Sequence, residues 1–258
     1  MAASIKQSPS HLQGISLDAA KPDFEDAAAF GNKTANLAKL KRVLASDPRA
    51  VAARSAVPDF CGLSHQLVYG HLTQHAGREF AAALGELNKS LQPGVQPLSG
   101  QARAKLGLVR ALVHKTFAEH PLAVDQAFVG RHAQHRLMVR STGKEDSEAL
   151  PNAGGNESVA NVEPSAPAVA EAIGRVVASY FSERSYAQRL LAGDDVHAPP
   201  FMPVLLQVMV GETASGHIPS SGVMFTKEPE GPTPHVTQIQ STLGHNEAVV
   251  AGLLPADT

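Results

Sequence analysis

The stretch that most restricts what this chain can fold into is Leu137 to Val162, LMVRSTGKEDSEALPNAGGNESVANV. It begins with a short β-type run, Leu137, Met138 and Val139, and then delivers Arg140, Ser141 and Thr142 to a charged loop. A second loop of small residues follows, Asn152 to Ser158, centred on Gly154 and Gly155. A strand that carries an arginine into a loop, followed by a glycine-rich turn, has the makings of a phosphate cradle. Arginine presents a fixed fork of donors to phosphate oxygens, and glycines let backbone N–H groups approach an anion closely. An ion-paired surface arginine beside an ordinary turn accounts for the same residues, and the stretch by itself leaves both readings open.

Composition narrows the classes. At 258 residues the chain can bury a substantial core in one large domain or two subdomains. Its 22 Lys+Arg against 24 Asp+Glu give no basic face of the kind a nucleic-acid coat requires. Trp is absent and Tyr scarce, which argues against a base-stacking platform. The single cysteine, Cys61, excludes an internal disulfide and suits a reducing, cytoplasmic setting. No apolar run approaches the ~20 residues of a membrane span. The first 26 residues lack a signal-like apolar core and read as a disordered lead-in.

Helical periodicity covers much of the remainder. Leu37, Leu40, Val43 and Leu44 recur at helical spacing behind Gly31 and Asn32, with Lys33 in the first turn. A helix N-terminus prefers anions, so a lysine there makes sense if both face one phosphate; a solvated lysine fits the same pattern. Ser64 predicts a cap for a helix to about Thr73, and Arg78 to Leu91 reads as a second helix. Ser99 predicts a cap for a helix through about Ala118, and Ala168 to Leu191 reads as one strong helix. The pairs His71/His75 and His132/His135 have ligand-like spacing, but no third ligand is spaced to complete a metal site. After a linker from Gly193 to Pro203, the apolar run Val204 to Val210 reads as a buried strand.

Several of these words, in this order, resemble one family. GNKTANLAKL is similar to the GGK-type motif that opens the nucleotide domain of phosphoenolpyruvate synthases and pyruvate phosphate dikinases, a domain shared by rifampin phosphotransferases. Val57 to Phe60 resembles the family's VPxGF turn with Asp59 in place of glycine, and the 137–162 stretch resembles its VRSS…NV segment. SYFSERSYAQR resembles a helix behind the nucleotide site, so Arg184 and Arg189 are expected to be structural. Val204 to Val210 resembles the hinge strand, Ser221 to Thr226 matches SGVMFT, and Gly244 to Gly252 resembles GLGEAVVSG. Asn32, Gly155, His245 and Asn246 depart from the pattern.

The resemblance implies an α+β, two-lobed, ATP-grasp-like domain. Residues 27–195 would form a helix-rich first lobe with the phosphate loops, and 196–258 a β-rich second lobe with the adenine hinge. It implies ATP and Mg²⁺: Lys33 and Arg140 on the phosphates, Gly154, Gly155 and Ser158 as the loop, Gln207, Met209 and Val210 at the adenine, and Glu247 near ribose and metal. The activity implied is phosphoryl transfer from ATP, through a histidine on a further domain, to pyruvate or a similar acceptor. On that reading the chain is a part of a larger enzyme, inactive alone. A nucleotide-binding module without catalysis, and a vestigial partner-binding domain, are the alternatives. Oligomeric state is not legible.

Overall fold

A computed structural model describes residues 15–16, 25–91, 98–124, 126–143, 146–147, 150–151, 155–210, 220–225 and 237–244. In chain order the elements are β1 (Ile15–Ser16), α1 (Ala27–Ser46), α2 (Pro48–Ala52), β2 (Phe60–Leu63), α3 (His65–Ser90), α4 (Gly100–Glu119) and α5 (Gln126–Arg131). There follow β3 (Leu137–Ser141), β4 (Asp146–Ser147), β5 (Leu150–Pro151), β6 (Ser158–Val162), α6 (Ala166–Ser179), α7 (Glu183–Leu191), β7 (Val204–Val208), β8 (Ser220–Phe225) and β9 (Gln238–Leu243). The architecture mixes helices with antiparallel sheets, as an α+β chain requires.

The predicted serine caps are in place. The Ser64 hydroxyl accepts from Leu67 N, and the Ser99 hydroxyl from Ala102 N. Two predicted boundaries differ. The helices expected to end at Thr73 and restart at Arg78 are one helix, α3, bent at Ala76 (φ −132°). The helix expected over 168–191 is two: α6 ends at Ser179, and Ser182 caps α7 by accepting from Ser185 N. Apolar periodicity running through the break concealed it, because Tyr180 and Phe181 still face the core side.

The main sheet has the order β1-β2-β7-β3-β6. One of its faces carries Leu137, Val139, Val204, Leu206 and Val208, which join Val169, Ile173, Val176 and Val177 of α6 in the core. Behind α6 lies α4, and behind α4 lies α3. Gly174 permits the close α4–α6 approach, since a Cβ there would stand 2.8 Å from Phe117 Cβ. Part of the opposite sheet face is covered by α1, whose Leu37, Ala38 and Leu44 pack on Val57, Phe60 and Leu205. Leu40 and Val43, also in the predicted stripe, are exposed.

The chain divides into two compact units, Met1–Val208 and Met209–Thr258. In the structure β7 belongs to the first unit, because it hydrogen-bonds β2 along one edge and β3 along the other. In the second unit the described residues form the hairpin β8–β9. Gly222 is required in it: a Cβ would lie 2.3 Å from Gln240 O of the facing strand.

Candidate functional site

The site is built from the part of the second sheet face that α1 leaves uncovered among the described residues. Residues directly opposite one another in an antiparallel pair point to the same face. Arg140 of β3 stands opposite Ser158 of β6 and Leu205 of β7. Gln207 stands opposite Met138 of β3 and Phe60 of β2. Thus Arg140, Ser158 and Gln207, taken from three strands that are far apart in sequence, share one face with Phe60 and Leu205, while Leu137, Val139 and Leu206 point to the core. Arg140 and Gln207 are half-buried there and Ser158 is exposed. A register shift in the β3–β6 pairing, with Asn161 at φ 65°, returns Val162 to the core side.

Lys33 reaches this place from α1. Gly31 interrupts that helix with φ 78° and ψ 163°. The loop after β3 fits into the interruption so tightly that a Cβ on Gly31 would stand 1.1 Å from Thr142 O. The Thr142 hydroxyl accepts from Thr34 N (3.0 Å) and the Thr34 hydroxyl (3.2 Å) and donates to Phe30 O (3.1 Å). Both threonines are fully buried. Asn32 N donates to Gly143 O, and Lys33 Nζ donates to Ser141 O at 3.2 Å. The structure therefore brings the lysine to the residue next to Arg140, although the contacting positions are 108 apart in the chain.

Ser179, Ser185 and Arg175 hold the segment that leads into β6. Gly155 is buried. Asn156 Oδ1 accepts from the Ser185 hydroxyl (2.7 Å), Glu157 N donates to the Ser179 hydroxyl (2.8 Å), and Glu157 is ion-paired with Arg175. Ser179 and Ser185 are buried polar residues on otherwise apolar helix faces. Polar residues at such positions are hydrogen-bonded, and that was the available signal for them. The cavity behind Ser141, Gly143 and Asn156 measures about 10 Å³, room for a single water.

Of the other expected site residues, Met209 is half-buried and Val210 exposed, and both follow β7 at the start of the second unit. Gly154 and Glu247 lie outside the described residues. Among the described residues no cluster of three or more His, Cys, Asp or Glu is arranged to hold a metal, and no helix is long and apolar enough to cross a membrane.

Arg184 and Arg189 were expected to be structural. Arg189 is buried, its guanidinium stacked between Tyr180 and Tyr186 at 3.8 and 4.1 Å from the ring centroids, away from the sheet face. Asp59 is salt-bridged to Lys41 at 2.6 Å and lies 3.5 Å from His132 Nε2. The Lys41 hydrogen bond holds the Asp59 carboxyl below its ordinary range.

The rifampicin phosphotransferase of Bacillus subtilis (strain 168) is 32% identical over 127 residues, which cover 48% of this chain and 14% of that protein. The chain thus spans a minor part of the relative's length. The model of the pyruvate phosphate dikinase AMP/ATP-binding domain matches residues 28–258, from α1 to the last residue. Nearly the whole chain, including the Gly31 interruption, Arg140 of β3 and strand β7, falls within that match, and the protein belongs to the pyruvate phosphate dikinase AMP/ATP-binding domain family.

Proposed function

We propose that this chain is the ATP-binding domain of a dikinase-type phosphotransferase, in which a histidine outside these residues carries phosphate to pyruvate or a similar small acceptor. The observation that carries the reading is the docking of Gly31–Thr34 onto Ser141–Gly143, which brings Lys33 Nζ to Ser141 O, next in the chain to Arg140. Phosphoryl transfer chiefly demands positioning and charge neutralisation. Lys33 and Arg140 supply positive charge, Ser158 a hydroxyl donor, and the loop at Gly154 and Gly155 backbone N–H groups. Gln207 with the backbone of Met209 and Val210 forms the adenine edge of a two-lobed, ATP-grasp-like site, and Glu247 contributes to Mg²⁺, a hard cation suited to carboxylate and phosphate oxygens. In this reading the domain hands its phosphoryl group elsewhere and does not complete transfer by itself.

Calorimetric titration with Mg-ATP tests the site. Arg140→Ala and Lys33→Ala are each expected to weaken affinity by about 1.5–3 kcal/mol, the worth of charge-assisted hydrogen bonds. Equal affinity in wild type and Arg140→Ala would sink the assignment. Inorganic triphosphate is expected to bind much more weakly than ATP, and parity between them would remove the adenine edge.

A further inference from the structure

A second cleft lies in the first unit. It is bounded by α3 (Tyr69, Leu84, Gly85, Asn88), by Tyr180, Tyr186 and Arg189, and by the segment from Val196 to Pro200, and it has a volume of about 300 Å³. That is the lower end of the size range of small-molecule sites.

Two features of its lining are unbalanced. The first is charge. Arg189 is only 6% exposed. Its Nε donates to Ser185 O and one terminal nitrogen to Tyr180 O, and its guanidinium lies over the Tyr186 ring. Among the described residues no carboxylate pairs with it. Tyr186 is no counter-ion either, because burial pushes its phenol up to about 12 and keeps it neutral. Buried cations are normally paired, since leaving water is costly for a charge without a partner. Two of the five guanidinium donors are engaged by these bonds, and the fork geometry of the remainder suits a carboxylate. The second feature is polar: Asn88 Oδ1 is buried with no hydrogen-bond partner among the described residues. An unsatisfied buried acceptor calls for a donor.

We propose that this cleft binds a small carboxylate bearing its own hydroxyl donor, a hydroxy acid. The carboxylate meets the Arg189 guanidinium, the hydroxyl donates toward Asn88 Oδ1, and the carbon skeleton lies along the tyrosine and proline walls. This site is independent of the nucleotide reading, since its residues include none of those placed at the phosphates or adenine.

The test is titration of the chain with L-malate and with succinate, which lacks the hydroxyl, followed by calorimetry and thermal shift. Each titration is repeated in Arg140→Ala, to exclude binding at the other cationic site, and in Gly85→Leu. A Cβ at Gly85 meets nothing within 4 Å, and Gly85 lines the cleft, so a leucine there projects into its volume. Leucine also favours the helix over glycine, so the fold is retained, which circular dichroism verifies. Saturable malate binding that persists in Arg140→Ala and weakens at least about tenfold in Gly85→Leu, with succinate about tenfold weaker than malate, is the expected result. Absence of saturable malate binding up to about 10 mM, malate binding unaffected by Gly85→Leu, or succinate bound as tightly as malate would each overturn the proposal.

Discussion

The two faces of the main sheet are made by the same strands and do opposite things. On one face Leu137, Val139, Leu206 and Val208 meet α6 in a dry core. On the other, Met138, Arg140 and Gln207 are only half-buried, and α1 covers the β2–β7 part alone. The period-two alternation of a strand makes this division automatic: a core position and a site position are neighbours in the chain. The core face holds the backbone still, and the other face inherits that rigidity for Arg140, Ser158 and Gln207. Consequently stability and ligand affinity should be separable one residue at a time along β3 and β7.

Gly31→Ala is expected to have the largest effect, because it strikes the join between α1 and the open face. Its methyl would overlap Thr142 O, and φ 78° disfavours any side chain. A loss of about 4–5 kcal/mol is expected, the range of exceptional single substitutions, read by urea denaturation. A loss below about 1 kcal/mol would mean that the β3 loop does not sit in the helix break.

Leu206→Ala tests the core face. Leu206 is 1% exposed, and its truncation should cost about 2–4 kcal/mol through lost transfer energy and a residual cavity. ATP affinity should be unchanged under conditions where the variant is folded. Arg140→Ala should show the reverse pattern, with weakened ATP binding and a nearly unchanged melting temperature. Parallel losses of both quantities in both variants would show that the faces are not independent.

Thr142→Val is intermediate. It removes the acceptor for Thr34 N and leaves that N–H buried and unsatisfied, at a cost of about 1–3 kcal/mol. Because the same hydroxyl anchors the segment holding Lys33, part of the loss should appear in ATP affinity, as a titration at fixed temperature would show.

The smallest effect is that of pH. Burial holds His65, His71 and His132 below the ordinary histidine range; for His71 a hydrogen bond to His120 O opposes the shift, and for His132 the Asp59 charge opposes it. His65 Nδ1 also accepts from Met202 N, a bond that needs the unprotonated nitrogen. The unfolded chain therefore binds more protons than the folded one once pH falls below about 6.5. Stability is full above that pH and is lost progressively below it, toward the depressed folded values. Thermal melts between about pH 7.5 and 5 should show the decline, and His65→Gln should flatten part of it. A melting temperature that rises on acidification would reverse the sign and refute the assignment.

Much of this was legible in advance, and the exceptions have physical causes. The serine caps at Ser64 and Ser99, the apolar stripe of α4 and the β3 and β7 strands follow from local chemistry and appear where periodicity put them. The break at Tyr180 was hidden because the apolar pattern continued across it. Ser179, Ser185, Thr34 and Thr142 were missed because hydroxyls reveal a role only through partners distant in the chain.

By itself, then, the sequence determined the elements, the family words and the residue types able to hold a phosphate, since those depend on neighbours within a few positions. Only the tertiary structure decided that β7 enters the sheet between β2 and β3, giving Arg140, Ser158 and Gln207 one common face. It alone decided that the break at Gly31 receives Thr142 and brings Lys33 to Ser141. Strand order and helix docking are set by which apolar surfaces meet and which buried polar groups find partners, and neither is a property of any short stretch of chain.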